Sequence, residues 1–244
     1  MVVTQLWRYP VKSMQGTPVD SITIDERGIE GDRAWGVVDP AAGRVLSAKR
    51  WPALLLASAT TAADGAVTIT LPDGSTHAAG DPGTDAAVSA WLDHEVRVQQ
   101  PPPGDGLPFE NQVDAADDAS DTYEWPTPAG SFVDLAAVHV LTTASLGSED
   151  VRRFRPNVLV EVDGDGYVED GWVGSTVQLG ETVVVAPFMR TGRCTMITKP
   201  QPGLDRDVVL ATRLNAEHGL HLGVYCGVTS GGTVRVGDRV SLGT

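Results

Sequence analysis

Cysteine is scarce in this chain: its 244 residues include only Cys194 and Cys226. Two thiols cannot build a disulfide framework or fill a four-cysteine iron–sulfur cluster, and they are expected to be reduced. Basic residues are also few. Lys and Arg number 18 against 32 Asp and Glu, giving a formal net charge of −14. A phosphate backbone wants a basic face, so this balance argues against general nucleic-acid binding. No run of about 18 apolar residues occurs, which argues against a membrane-spanning helix. The opening "MVVTQLWRYPVKS" has no basic stretch followed by an apolar one. It does not read as a signal peptide, and the cytoplasm is the expected location. The 5 histidines are scattered. The His-x-x-His spacing of His218 and His221 would put both on roughly one face of a helix, but no standard zinc spacing surrounds them, which leaves a zinc site poorly supported.

Short strand-like runs dominate what is there. "VVTQLWRY" opens the chain, and "AVTITLPDG" alternates Val67, Ile69 and Leu71 before an Asp73-Gly74 turn, a hairpin signal. "VLVEV", "STVQLG" and "TVVVAP" continue the pattern, and "TVRVGDRVSLG" reads as two strands around Gly237-Asp238. Helices are expected from Thr84 in "GTDAAVSAWLDHE", after a Ser148 cap in "SLGSEDVRRF", and in "LDRDVVLATRLNAEHG", ending at Gly219. Between Pro101 and Pro128 the chain turns rich in Pro and Asp. This stretch reads as a long loop or inter-domain connection with a solvated acidic run. The pattern is mostly β with minor α, in two parts: residues 1–125 and 126–244. That boundary is soft, because the first strand is free to cross between the parts.

Four motifs could carry chemistry. In "YPVKSMQG", Pro10 should stop the first strand, leaving Lys12 and Ser13 on a strand-end loop. A point charge beside a hydroxyl suits phosphate. In "GIEGDRAW", Arg33 stands where a glycine-shaped loop enters a strand. In "RRFRPNVLVE", Pro156 biases Arg155 towards an extended backbone. Arg155 offers a planar five-donor fork and Asn157 both a donor and an acceptor, together suited to an anion and a heterocycle edge. In "RTGRCTMITKPQPG", Arg193 precedes Cys194. A neighbouring cation favours a thiolate, which is a soft metal ligand or a nucleophile. Singly, each motif also fits an exposed charge or an inert buried thiol. Together, three cation-bearing motifs at loop-to-strand junctions could converge on one anion, with a thiolate at its end.

These segments, with "GVYCGVTSGGTVRVGDRV", resemble the MOSC family of molybdenum-cofactor proteins, in the motif order of the members with an N-terminal β-barrel domain. That branch includes the mitochondrial amidoxime reducing component and its bacterial relatives. The resemblance implies an N-terminal β-barrel-like domain followed by a MOSC β-barrel. It implies a molybdenum ion held by a pterin dithiolene (the molybdopterin of the molybdenum cofactor) and by Cys194, the catalytic cysteine. Lys12, Ser13, Arg33, Arg155 and Asn157 fall on cofactor-binding positions, with Arg193 beside the metal ligand and Tyr225 near the site. Thr142, Thr143 and Ser145 in "VLTTASL" lie where the family places small hydroxyl residues, or else form a strand end and a helix cap.

The implied activity is two-electron reduction of N-hydroxylated or N-oxide small molecules. Some bacterial relatives carry their own iron–sulfur domain, and this sequence has no cysteines for one. Electrons are therefore expected from a separate ferredoxin-type or flavoprotein-type donor. Met14 replaces a frequent cysteine, and Lys199 stands where relatives have an acidic turn, at the expected pocket mouth. His218 and His221 are proton-source candidates by elimination, and Cys226 reads as a packed core thiol. The alternative within the same fold is a sulfur carrier with a persulfide on Cys194.

Overall fold

The computed structural model describes residues 1–104 and 106–243; Asp105, within the stretch read as a connection, and Thr244 lie outside the described residues. The N-terminal part contains β1 (Val2–Arg8), β2 (Thr17–Val19), β3 (Ser21–Asp25), β4 (Gly28–Ile29), β5 (Gly36–Asp39) and β6 (Arg44–Val45). It continues with β7 (Ser58–Thr61), β8 (Val67–Thr70), β9 (Thr76–Ala78), α1 (Pro82–Leu92) and β10 (Arg97–Gln99). A hairpin follows, β11 (Pro108–Gln112) and β12 (Thr122–Pro126). Then come β13 (Val138–Thr142), α2 (Thr143–Leu146), α3 (Val151–Phe154), β14 (Val158–Glu161), β15 (Thr176–Leu179) and β16 (Val183–Gly192). The chain closes with α4 (Leu210–His218), β17 (His221–Ser230), β18 (Gly232–Arg235) and β19 (Val240–Gly243).

The fold is mostly β, as the strand-like runs require. One sheet of eight strands runs β19-β15-β16-β17-β13-β14-β1-β2. It curls without becoming one continuous ladder: Val2 bridges to Arg239, just ahead of β19, and Val3 donates to the Asp238 carbonyl at 2.9 Å. The curl encloses the main core, which includes Val3, Leu6, Val140, Val158, Val185 and Val224. A second core, around Val37, Leu54, Ile69, Val88 and Val98, lies under α1. A third, with Leu141, Phe154, Leu159, Ile197 and Leu214, packs α3 and α4 on the opposite face of β13 and β14.

Local chemistry accounts for most boundaries. In β8, Val67 and Ile69 are buried and Thr68 and Thr70 less so, the alternation of a one-sided strand. The first helix begins at Pro82 rather than Thr84, because Asp81 caps it and Pro at the first turn forfeits no intrahelical bond. Asp150, not Ser148, caps α3, accepting from the Arg152 amide at 2.9 Å. The last helix does end at Gly219, which takes φ 61°. It begins only at Leu210, leaving the β-branched Val208 and Val209 outside and exposed. The two C-terminal strands join different sheets, β18 beside β3 and β19 beside β15.

The largest correction concerns the stretch 101–128. It is not simply a loop. Phe109 pairs with Trp125 and Asn111 with Tyr123 in a two-stranded antiparallel sheet. Nor is its acidic run wholly solvated. Asp118 accepts from the Thr195 hydroxyl and pairs with Lys199, while Asp114 and Asp117 turn the chain by accepting from Ala116 and Ala119 amides.

Candidate functional site

The site begins with strand alternation. Val138, Val140, Val158, Val160, Val224 and Cys226 point into the main core. His139, Asn157 and Tyr225, at the alternate positions, therefore face the opposite side. His139 lies opposite Tyr225 in the β13–β17 register, and their rings meet edge-on at 5.6 Å. Asn157 straps three strands together: its Oδ1 accepts from the His139 amide at 3.2 Å, and its Nδ2 donates to the Trp7 carbonyl at 3.3 Å.

Around this floor the backbone is bent where side chains must point inward. Ser13, Arg33, Arg155 and Leu220 all take positive φ, as does Asp93 elsewhere. For a residue with a Cβ, each such conformation costs about 1–3 kcal/mol and persists only when the surroundings enforce it. Arg155 does so at φ 55°, closing α3 where glycine is usual. Leu220 accepts from the Arg193 amide at 2.8 Å, and Ser13 Oγ accepts from the Ala48 amide at 2.9 Å. Four bent turns thus deliver three cations and a serine to one place.

The result is a cavity of about 90 Å³, lined by Lys12, Arg33, Lys49, Arg155 and Arg193, with Ser13, Ser47, His139, Asn157 and Tyr225. Tyr9 lies behind it, its ring 4.3 Å from both the Arg33 and the Arg155 guanidinium carbons. Arg33 is paired with Asp32. Lys12, only 3 % exposed, donates to the Phe132 carbonyl at 2.8 Å and to Asp134. Lys49 reaches the other Asp134 oxygen at 3.0 Å, and both ammonium groups flank the Phe109 ring. Burial pulls the Lys12 pKa down to about 8 against the pull of Asp134. Burial also opposes the Lys49 charge, but Asp134, and after it the Cys194 sulfur, keep its pKa raised. Asp134 is pushed the opposite way to burial: the two lysines hold its carboxyl well below the usual range. Its side chain remains 42 % exposed because it faces the open cavity.

Arg155 is the least satisfied group. Both of its Nη atoms are buried without a hydrogen-bond partner, and burial, then Arg33, lower its pKa to about 10. Ser47 Oγ and Arg193 Nε are likewise buried and unpartnered. A buried unpaired cation is costly. Donors of this kind fit an anion with several acceptor oxygens, such as phosphate.

A second, outer chamber of about 310 Å³ adjoins the first, sharing Lys49, Asp134, Leu135, Arg193, Met196 and Tyr225. Cys194 lies on its wall as a free, partly exposed thiol. The segment carrying it is fixed from several sides. The Thr195 amide donates to the Ala115 carbonyl at 2.9 Å, Thr198 Oγ1 donates to the Thr195 carbonyl at 2.7 Å, and Ile197 is buried in the third core.

Residues 1–99 match the model of the MOSC N-terminal beta barrel domain, and residues 131–241 match that of the MOSC domain. The chain belongs to the MOSC family. It is 27 % identical to mitochondrial amidoxime-reducing component 1 of Homo sapiens over 289 residues, covering 98 % of this chain and 82 % of that protein. The Mus musculus protein of the same name matches at 27 % over 297 residues, with the same coverage. A crystal structure of YUAD protein from Bacillus subtilis aligns over 99 % of this chain and 96 % of its own, at 11 % identity and a TM-score of 0.48. The domain matches and the amidoxime-reducing relatives place the chain in a family of molybdenum-cofactor-related oxidoreductases or sulfur carriers.

Within this MOSC chain, Lys12, Ser13, Arg33, Arg155, Asn157, Arg193 and Tyr225 all line the first cavity, and Cys194 lines the second. Thr142, Thr143 and Ser145 line neither. Thr142 and Ser145 each donate to the buried Glu169 carboxylate at 2.6 Å, and Thr143 Oγ1 accepts from the Val162 amide. They cap and anchor α2 instead. His218 and His221 are also elsewhere: His218 stacks on Tyr167 at 3.5 Å with Nε2 2.8 Å from Asp170. No cluster of three or more His, Cys, Asp or Glu side chains placed to hold a metal ion occurs among the described residues. Lys199 grips Asp118 rather than lining the mouth. Cys226 is packed in the main core, where burial raises its thiol pKa.

Sequence reasoning missed Ser47, Lys49, Asp134 and His139. "SAKR" and "SFVDLAAVHV" carry no spacing signal, except that His139 breaks an apolar strand. A polar residue there, on a strand buried on both faces, marks something other than core.

Proposed function

We propose that this protein binds a molybdenum–pterin cofactor and reduces N-hydroxylated or N-oxide small molecules, taking electrons from a separate donor protein of ferredoxin or flavoprotein type. The supporting observation is the unpartnered Arg155 fork, buried in a cationic cavity that opens on the Cys194 thiol. The residues present fit such a group. Arg155 can take an anionic tail through two parallel bonds, with Arg33, Lys12, Lys49 and the Ser47 hydroxyl completing the cradle. Cys194 would supply a thiolate ligand, at the end of the cradle away from the phosphate sites.

When bound, the metal–pterin group supplies the two-electron chemistry that removes oxygen from an N–O bond. The chain's own part is positioning and electrostatics. Lys12 and Lys49 hold Asp134 ionised at the junction of the two chambers. Tyr225, whose hydroxyl burial keeps protonated, faces both chambers. The hairpin β11–β12 walls the outer chamber.

The test is cofactor analysis of protein made in a molybdenum-replete, cofactor-competent host. Wild type should carry molybdenum near one atom per chain and release an oxidised pterin fluorophore, and Cys194→Ser should lose the metal. The loaded protein should reduce N-hydroxylated compounds when a donor is added. A well-folded wild type with neither metal nor pterin, but with a persulfide on Cys194, would overturn this in favour of the sulfur carrier.

A further inference from the structure

The outer chamber has a feature that an oxygen-removing centre does not require. One face of the hairpin, through the pairs Phe109–Trp125 and Asn111–Tyr123, turns four side chains toward it. The Tyr123 and Trp125 rings meet edge-on at 6.4 Å, yet they stay 43 % and 41 % exposed. Leu135 and Met189, also exposed, complete an apolar rim. Exposed aromatic groups gathered in a concave site mark a ligand surface more often than chance. They are held in place: Asn111 Nδ2 donates to the Tyr123 hydroxyl at 2.9 Å, and Phe109 is fully buried at the base. The opposite face of the hairpin carries the cross-strand pair Glu110–Glu124 and shows no such grouping.

We propose that Tyr123 and Trp125 are specificity-determining residues that select planar aromatic substrates, stacking the ring so that its N-oxygenated group points at Cys194. This rests on the reductase reading and adds the substrate class. The physical basis is the preference of aromatic rings for one another in offset or edge-on geometry, which an aliphatic chain of equal size does not share. At about 310 Å³ the chamber reaches the lower end of small-molecule pockets, enough for one ring with its substituent.

The test compares three probes by calorimetry on the purified full chain: a phenyl N-hydroxyamidine, an aliphatic N-hydroxyamidine of similar size, and the phenyl amidine lacking the N–O bond. Wild type should bind both phenyl compounds about tenfold more tightly than the aliphatic one. The ratio should collapse towards one in Tyr123→Ala/Trp125→Ala and recover in Trp125→Phe, whose melting curve checks the fold. Equal binding of phenyl and aliphatic probes by wild type, or no binding of any, overturns the proposal, as does an unchanged ratio in the double variant. The two readings fail separately. A ring preference without turnover leaves the chamber assignment standing and sinks the reductase. Turnover of both hydroxyamidines at equal KM does the reverse.

Discussion

At the scale of single residues, Arg155 works against the stability of the fold. It is a buried, unpartnered cation in a left-handed turn that suits glycine. Arg155→Gly should therefore raise stability by about 1 kcal/mol, after subtracting the lost contact with Tyr9. For a chain of this size that is about 2–4 °C in Tm. The same variant should lose sulfate binding, and a lower Tm would refute the strain assigned to this turn. Lys12 makes a second prediction. Its pKa is lowered from 10.5 to about 8. Between those values the unfolded chain holds the extra proton, so this group's contribution to stability rises with pH across that window. Anion affinity should move the other way, because the cradle loses an ammonium. Calorimetry with sulfate, whose charge is constant, should show weaker binding at about pH 9 than at about pH 7, and Lys12→Met should abolish the difference.

At the scale of elements, the hairpin β11–β12 and its acidic loop tie the wall of the outer chamber to the segment that carries the cysteine. An isolated two-stranded hairpin is marginal in water. This one is held through Asp118, which Lys199, Thr195 and Gln112 all contact. Burial opposes the Asp118 charge, but the Lys199 bond, foremost, and that of Thr195 hold its pKa below the ordinary carboxylate value. Stability from this clamp is present above that ordinary value and is lost as pH falls through the lowered one. Asp118→Ala should free the Cys194 segment and speed its reaction with a thiol reagent several-fold, with only a small fall in Tm, since Asp118 is partly exposed. An unchanged rate would mean that the clamp does not govern access to the thiol. None of this was legible in "PPPGDGLPFENQVDAADDASDTYEWPTP", because proline and aspartate obscure the alternation and the strands form only against the body they cover. By contrast, the Asp73-Gly74 hairpin and the Gly219 helix end were legible, because each rests on chemistry within a few residues.

At the scale of the whole molecule, the two family models divide the chain in a way the main sheet does not. Residues 1–99 match the N-terminal model, yet β1 and β2 extend the sheet built by β13–β17 and β19. Lys12 crosses to Phe132 and Asp134, and Gln15 Nε2 reaches Gln201 Oε1 at 2.8 Å. The chain should therefore melt in one cooperative transition, and residues 1–99 made alone should not fold, as read by circular dichroism. Two separate transitions would show that the parts are independent. Charge is divided in a similar way: a net −14 over the chain surrounds a cavity with five cations and one carboxylate.

From the residue order alone came the mostly β class, the family, and the cationic motifs with Cys194 near them, because alternation, turn chemistry and motif spacing act over short stretches of chain. Folding decided the rest. It chose which hydroxyls face the cavity and which serve Glu169, and it brought Ser47, Lys49 and Asp134 to the site from unremarkable segments. It also turned a proline-rich connection into an aromatic wall. These outcomes depend on pairings across 77 residues and more, such as Lys12 with Asp134 and Thr195 with Asp118. The energy of such a pairing resides in desolvation and geometry that exist only once the sheet has curled.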